Sequence, residues 1–247
     1  MIEGELALIV DATRQASRFL LRDYFELENL QISNRNNADF TQKSCMKVLQ
    51  ILNEKLGKYF KNVIFDVSKK DSLNLNYKAV LVETIDGFTN LTRSLPFFSI
   101  MITLVSRKDN LLVPEKSVMN FPALGEIYYT EKGRGAWIEK YNTNQPGAFR
   151  LKVSRNDNLN NAILSTNAAS ALSNKLIRNF RLYDSYSYSL AQFIAGKLDV
   201  IVLEPSEIST LGIKLFIEET GGIYIEENQK ITASNSLLFE KIKHICN

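Results

Sequence analysis

The segment 82–91 reads Val-Glu-Thr-Ile-Asp-Gly-Phe-Thr-Asn-Leu, and the architecture of the chain can be inferred from it. It continues the aliphatic run 78–82, which is typical of a buried strand, and it places the carboxylates of Glu83 and Asp86 three residues apart. Asp86-Gly87 is a turn signal that can open a helix. A strand that ends in acids and runs into a turn is typical of phosphate and hard-cation sites. We therefore expect both carboxylates to face a cavity.

Length and composition indicate one compact unit or two fused layers. The chain has 247 residues, of which 45% are hydrophobic, enough to bury a sizeable core. Its 30 basic and 27 acidic residues give a net charge of +3 and are scattered along the chain, so charge alone predicts no partner. With His244 as the single histidine, nucleophilic catalysis by histidine and a multi-histidine metal centre are close to excluded.

The N-terminus and the hydropathy pattern predict a cytoplasmic protein without a membrane segment. No stretch of about 18 uncharged apolar residues occurs, and Glu3 and Glu5 stand where a signal peptide would carry basic residues.

The periodicity of apolar residues predicts a helix-rich start, a sheet-rich middle and an alternating α/β second half. The predicted helices are 5–25, a second one ending near residue 56, 168–180, 187–195 and 209–220; the predicted strands are 63–65, 78–82, 97–105, 126–129, 162–165 and 200–203. Residues 141–149, rich in Asn, Gly and Pro, are predicted to form a loop at a subdomain boundary. We therefore predict an N-terminal α+β part at 1–150, which carries the acidic motif, and a C-terminal α/β part at 151–247.

Four landmarks in this sequence resemble, in the same order, those of the inositol monophosphatase family. The first is 82–91 with the Pro-Phe-Phe strand at 95–104; the others are the glycine hairpin 125–137, the segment 185–199 and the helix end with two glycines at 217–222. Each motif alone is weak, but four in order make chance similarity improbable. The resemblance implies an α/β (α+β) fold, a layered α-β-α-β-α sandwich with two helices over a large antiparallel sheet and a second, mixed sheet.

The resemblance also implies a chemistry. Family members hydrolyse phosphate monoesters with Mg²⁺ ions held by carboxylates, and the metals activate the attacking water. Carried over by position, the metal-binding residues are Asp66, Glu83, Ile85 through its carbonyl, and Asp86. The implied catalytic residues are Asp66 and Thr89, and the implied phosphate- or substrate-binding residues are Gly87, Phe88, Thr89, Ser185 and Glu204.

Several positions depart from the family pattern. Asp66 stands where the family has a glutamate, and Glu83 stands where it has an aspartate. Phe88 replaces the hydroxyl residue that orients water. Ser209 stands where an Asp would bind the second metal, although it would make a good N-cap. Asp184 replaces the glycine before Ser185. An ordinary structural explanation is that Glu83 and Asp86 are solvated acids, Phe88 core, Asp66 a turn former and Ser209 a cap.

The departures predict an inositol-monophosphatase-like protein with a degraded Mg²⁺ site, weak or lost phosphomonoesterase activity and a binding or regulatory role. The expected partners are a small phosphorylated polyol or sugar and a second copy of the chain, because family members are commonly dimers. An alternative is an active Mg²⁺-dependent phosphatase with a rearranged ligand set of Asp66, Glu83, Asp86 and either Glu204 or Glu207. A third hypothesis, nucleic-acid binding, is disfavoured because its tyrosines are better explained as core or helix-face residues. Those tyrosines are Tyr183, Tyr186 and Tyr188.

Overall fold

The computed structural model describes residues 2–31, 37–66, 78–109, 111–141, 147–168, 171 and 177–243. Two long helices come first, α1 (Gly4–Gln31) and α2 (Asn37–Leu56), as the sequence predicts. Apolar residues at helical spacing, such as Ile9, Leu20 and Val48, bury one side of each helix in a shared core. Among the described residues, every helix is too short or too polar to cross a lipid bilayer.

The first sheet has seven strands, which lie side by side in chain order. They are β1 (Asn62–Ile64), β2 (Ala79–Asp86), β3 (Ser99–Lys108), β4 (Leu111–Phe121), β5 (Glu126–Glu131), β6 (Ala136–Lys140) and β7 (Gly147–Arg150). β1 and β2 are parallel, and all other neighbours are antiparallel. Alternation along β3 sends Ile100 and Ile102 to the core under α1 and α2, and Met101 to the opposite face.

The second sheet has five strands in the order β11-β12-β10-β8-β9 and is mixed. Its strands are β8 (Ile163–Thr166), β9 (Asn179–Arg181), β10 (Val200–Leu203), β11 (Ile223–Glu227) and β12 (Lys230–Ser234). The later helices are α3 (Phe88–Thr92), α4 (Tyr186–Ile194), α5 (Thr210–Glu219) and α6 (Ser236–Ile242).

Helices α4 and α5 fill the space between the two sheets. Phe193 and Phe216 share one core with Met119 of the first sheet and Ile201 of the second. On the outer face of the second sheet, Leu238 of α6 packs with residues of β8 and β10. The layers therefore run α-β-α-β-α, as predicted.

Two local predictions are wrong. The predicted helix 168–180 ends in a strand, because Asn179–Arg181 pairs with β8; residues 169–170 and 172–176 lie outside the described residues. The predicted loop 141–149 is wrong over 147–149, which start β7, a strand whose four residues are all exposed; residues 142–146 lie outside the described residues. An exposed edge strand carries no buried alternation that would reveal it in the sequence. The domain boundary after residue 150 stays a prediction.

Candidate functional site

A cleft of about 210 Å³ lies where β2 ends, beside the N-terminus of α4. It is lined by Asp86, Gly87, Phe88, Thr89, Asn167, Asp184, Ser185, Tyr186 and Glu204. Six of these nine residues are ones that the resemblance implies for metal or substrate binding. The structure thus brings them to one place, while their individual roles remain predictions.

Asp86 is buried, and its carboxylate is held by the start of α4. Its Oδ2 accepts hydrogen bonds from the Ser185 hydroxyl at 2.5 Å and from the Ser187 backbone N–H at 2.9 Å. Burial raises the pKa of Asp86 to about 6, although the hydrogen bonds from Ser185 and Ser187 lower it. A carboxylate at a helix N-terminus is favourably placed against the helix dipole. The ionised Asp86 carboxylate therefore stabilises the N-terminus of α4.

Glu83 is surrounded by three hydroxyl groups, which we call the hydroxyl cluster: Tyr186, Ser206 and Ser209. Its Oε2 accepts hydrogen bonds from Tyr186 at 3.0 Å, from Ser209 at 3.4 Å and from Ser206. The three hydroxyl oxygens lie 3.1–3.2 Å from one another. Burial, followed by the charges of Asp86 and Glu83, raises the pKa of Tyr186, so its phenol stays a donor at neutral pH.

Ser209 is the N-cap residue of α5, as predicted, but its side chain does not cap the helix, because its hydroxyl makes no capping hydrogen bond. The hydroxyl contacts the Glu83 carboxylate and its two hydroxyl neighbours instead. The Ser209 hydroxyl therefore hydrogen-bonds to the half-buried Glu83 carboxylate and not to the first backbone amides of α5.

The acids of the predicted metal set do not gather around one point. Among the described residues, no three His, Cys, Asp or Glu side chains lie close enough to hold one metal ion. Asp66 is exposed beyond β1, and Glu204 forms an ion pair with Lys230 at 3.3 Å. Glu207 lines a different cleft, beside Leu111 and Leu211. Ile85 is buried within the irregular end of β2, between the two acids of the motif.

The turn after β2 requires glycine. Gly87 has φ of 80°, and a Cβ at this position would approach the Phe97 carbonyl oxygen to 2.4 Å. The next side chain, Phe88, is 38% exposed and lines the cleft, so it is not the core residue of the ordinary explanation. The exposed Thr89 side chain also lines the cleft.

Asn90 ties this turn to the loop before α4. Its buried side-chain amide donates to the carbonyl oxygens of Phe97 at 2.9 Å and Tyr183 at 2.7 Å. In that loop Asp184 has φ of 52°, a left-handed conformation that glycine adopts freely and that aspartate tolerates. This geometry accounts for the glycine that the family pattern carries there.

Sequence reasoning missed Tyr186, Ser206 and Asn167. Tyr186 and Ser206 reach Glu83 across separations of 103 and 123 residues, so no local spacing could reveal the contacts. The signal available was a phenol directly after Ser185. Asn167 exchanges two hydrogen bonds with the backbone of Glu204, at 2.9 and 3.0 Å, and so positions this acid at the cleft.

The fold and this site define a five-layered α/β protein with an acidic cleft at the end of a motif strand. Residues 5–245 match the profile of the inositol monophosphatase family. The chain belongs to the inositol monophosphatase family.

Individual relatives support this assignment. The chain is 28% identical over 235 residues to the inositol-1-monophosphatase of Caulobacter vibrioides, covering 87% of this chain and 86% of that protein. It is 21% identical over 160 residues to the Nus factor SuhB of Xylella fastidiosa, covering 64% of this chain and 54% of that protein. The fold matches the crystal structure of extragenic suppressor protein suhB from Bartonella henselae with a TM-score of 0.77 over 99% of both chains, at 20% identity.

Proposed function

We propose that this family member has weak or no Mg²⁺-dependent phosphomonoesterase activity and acts as a binding or regulatory protein. The observation that carries the proposal is the hydroxyl cluster around Glu83. Tyr186, Ser206 and Ser209 supply this carboxylate with the hydrogen bonds that would otherwise come from water or be replaced by a cation. A metal ion bound to Oε2 of Glu83 would have to displace them.

The residues present do not fit a Mg²⁺ site of the family type. Mg²⁺ demands near-octahedral oxygen ligands at about 2.0–2.1 Å and gives up its water reluctantly. Two carboxylates belong to the motif strand, and each already accepts at least two hydrogen bonds. A neutral Ser209 stands in the position of the second-metal acid, and Phe88 in the position of the water-orienting hydroxyl. Loss of a general-base arrangement is typically worth about 10²–10⁴-fold in rate.

The charge of the cleft favours hydroxyl-rich ligands. Asp86, Asp184 and Glu204 line it, and none of its nine described lining residues is Lys or Arg. Carboxylates accept hydrogen bonds from alcohols, whereas a phosphate group would be repelled unless a cation accompanied it. Within the predicted class of phosphorylated polyols and sugars, recognition would therefore rest on the hydroxyl groups.

The proposed setting is a cytoplasmic homodimer. Leu95 and Leu182 are 46% and 60% exposed, on the two loops that Asn90 ties together. Exposed apolar side chains on neighbouring loops are suited to a self-complementary contact between two copies of a chain. Light scattering of the wild type against Leu182→Ser tests this contact.

The alternative is an active Mg²⁺-dependent phosphatase. It is favoured by the similarity to the inositol-1-monophosphatase of Caulobacter vibrioides and by the retained acids Glu83 and Asp86. It requires Asp66, Glu204 or Glu207 to approach Glu83. The structure gives little support for nucleic-acid binding. Tyr183 and Tyr188 pack on each other and on Phe97, at distances of 4.6–5.7 Å between ring centres.

Phosphate release from inositol 1-phosphate and from an aryl phosphate, with and without Mg²⁺, tests the proposal. We expect no Mg²⁺-dependent release by the wild type. Release is expected from a variant that restores the family residues and removes the phenol, Phe88→Thr with Ser209→Asp and Tyr186→Ala. Wild-type release that requires Mg²⁺, equals or exceeds that of the restored variant and disappears in Glu83→Gln would overturn the proposal and establish the alternative.

A further inference from the structure

A second cleft, of about 410 Å³, lies between α1 and the end of β6, and the proposed function does not use it. It is lined by Arg14, Ser17, Arg18, Leu21, Glu139 and Tyr141. The four residues from α1 are spaced three and four apart and so share one face of the helix. The volume falls within the range of sites that hold small molecules.

Two arginines line this cleft, and the structure pairs one of them with a carboxylate. Arg14 forms an ion pair with Glu139 across the cleft. Arg18 lies one turn further along the helix, and no carboxylate of the described residues is within ion-pair distance of it. Two arginines at this spacing repel each other by a few tenths of a kcal/mol, a cost that a bound anion would remove.

Ser17 is buried between these arginines without a partner. It is 5% exposed, and its hydroxyl makes no hydrogen bond with any described residue. The nearby hydroxyl of Thr13 bonds to its own helix, donating to the Val10 carbonyl at 2.8 Å, and Ser44 of α2 donates to the Phe40 carbonyl at 3.2 Å. A buried polar group left unpaired is costly, so an unpartnered hydroxyl in a cleft indicates a place for a ligand atom.

A second unpartnered donor lies beside the cleft. Asn120 is fully buried, its side-chain amide nitrogen has no partner among the described residues, and its oxygen is 3.5 Å from the Tyr141 hydroxyl. Burial raises the pKa of Tyr141, although the charge of Arg14 lowers it, so the phenol is a donor at neutral pH. The Ser17 hydroxyl and the Asn120 amide nitrogen therefore each carry hydrogen that no described residue accepts.

We infer that the cleft between α1 and β6 binds a small molecule through an oxyanion group, either a phosphate or a carboxylate. Arg18 supplies the charge and Ser17 a hydroxyl donor, while Leu21 contacts the apolar part of the ligand. Guanidinium groups bind both kinds of oxyanion with paired hydrogen bonds. This site is separate from the acidic cleft at Glu83 and does not depend on whether that cleft is catalytic.

The test is a fluorescence titration of the intact protein with inorganic phosphate and, separately, with propionate. Trp137 is the single tryptophan of the chain and lies on the same face of β6 as Glu139, two residues away. We expect a saturable change with at least one of the two anions, and the anion that saturates identifies the class of ligand. No saturable change with either anion overturns the inference.

Three variants locate the binding. Arg18→Gln should weaken it about tenfold or more, the value of a charge-assisted hydrogen bond. Arg22→Gln is the matched control, because it removes the same charge from the same helix at a residue that pairs with Asp23 and does not line the cleft. Equal weakening by both arginine variants would contradict a specific site. Glu83→Gln should leave the titration unchanged, which separates this result from the proposed function.

Ser17→Ala distinguishes lost binding from lost folding. It removes a buried hydroxyl that has no partner, so the unfolding temperature of the free protein should stay the same or rise. Binding of the anion should weaken by a factor of about two to ten, the value of a neutral hydrogen bond. Unchanged affinity in this variant would exclude Ser17 from the site.

Discussion

The two clefts differ in how their polar groups are satisfied. At the end of β2, Glu83 and Asp86 accept hydrogen bonds from hydroxyls and a backbone amide of their own chain. Between α1 and β6, Arg18 and Ser17 have no such partner among the described residues. The two acids of the motif thus already have partners within the chain, while Arg18 and Ser17 of the second cleft have none among the described residues. Unpartnered polar groups can therefore lie in a part of the molecule that no sequence motif marks.

The largest effect is expected at the turn that closes the first cleft. Gly87→Ala should destabilise the protein by about 2–4 kcal/mol, because a left-handed residue costs about 1–2 kcal/mol and the clash with the Phe97 carbonyl adds a similar amount. Gly133→Ala is the matched control: φ is 77°, but no atom lies within 4 Å of the added Cβ. Urea unfolding should show a loss of about 1–2 kcal/mol there. Equal losses would show that the close packing at Gly87 is unimportant.

The second prediction concerns the pH dependence of stability. Burial raises the pKa of Asp86 to about 6, so the folded state keeps a proton that the unfolded state releases at lower pH. Stability from this group is greatest near pH 4 and falls as the pH rises through about 6, by at most about 3 kcal/mol. Urea midpoints between about pH 4 and pH 7 should show this fall in the wild type and in the exposed-site control Asp11→Asn. The same fall in Asp86→Asn would contradict the assignment.

The third prediction tests the hydroxyl cluster. Tyr186→Phe removes one donor from the Glu83 carboxylate and should cost about 1.5–3 kcal/mol of unfolding free energy, the value of a hydrogen bond to a charged group. Tyr188→Phe is the matched control on the same helix, because its hydroxyl makes no hydrogen bond with any described residue. Thermal unfolding should place the Tyr188 variant within about 0.5 kcal/mol of the wild type. A Tyr186 variant as stable as that control would mean that the cluster does not hold Glu83.

The smallest effect on stability is expected in the second cleft. Glu139→Gln breaks the ion pair with Arg14, whose side chain is 41% exposed, and should cost less than about 1 kcal/mol. The same change frees a guanidinium, so affinity for the oxyanion that saturates the wild type should rise several-fold. Calorimetric titration measures the change. Weaker binding in this variant would show that Glu139 contacts the ligand itself.

Much of the fold could be predicted because its landmarks are local. The predicted strand 200–203 is β10 (Val200–Leu203), because four consecutive aliphatic residues indicate a buried strand. The predicted helices 187–195 and 209–220 agree with α4 and α5 to within one residue at each end. β9 was predicted as a helix end, because three residues are too short a segment for a period of two to be separated from helical spacing.

The site was predictable in its backbone and not in its contacts. The position of Glu83 and Asp86 at a strand end follows from the motif itself. The partners of Glu83 come from a different part of the chain, and the residue types involved, two serines and a tyrosine, are ordinary at helix starts. Spacing along a sequence cannot show that hydroxyls from the start of α4 and from the residues before α5 will meet one carboxylate.

The central claim is that internal hydroxyls, and not a metal ion, satisfy Glu83. Calorimetric titration of the wild type with Mg²⁺, compared with Glu83→Gln, measures this directly. We predict no saturable Mg²⁺ binding by the wild type and the same trace from Glu83→Gln. Saturable binding by the wild type that is lost in Glu83→Gln would contradict the account and show that this carboxylate still holds a metal.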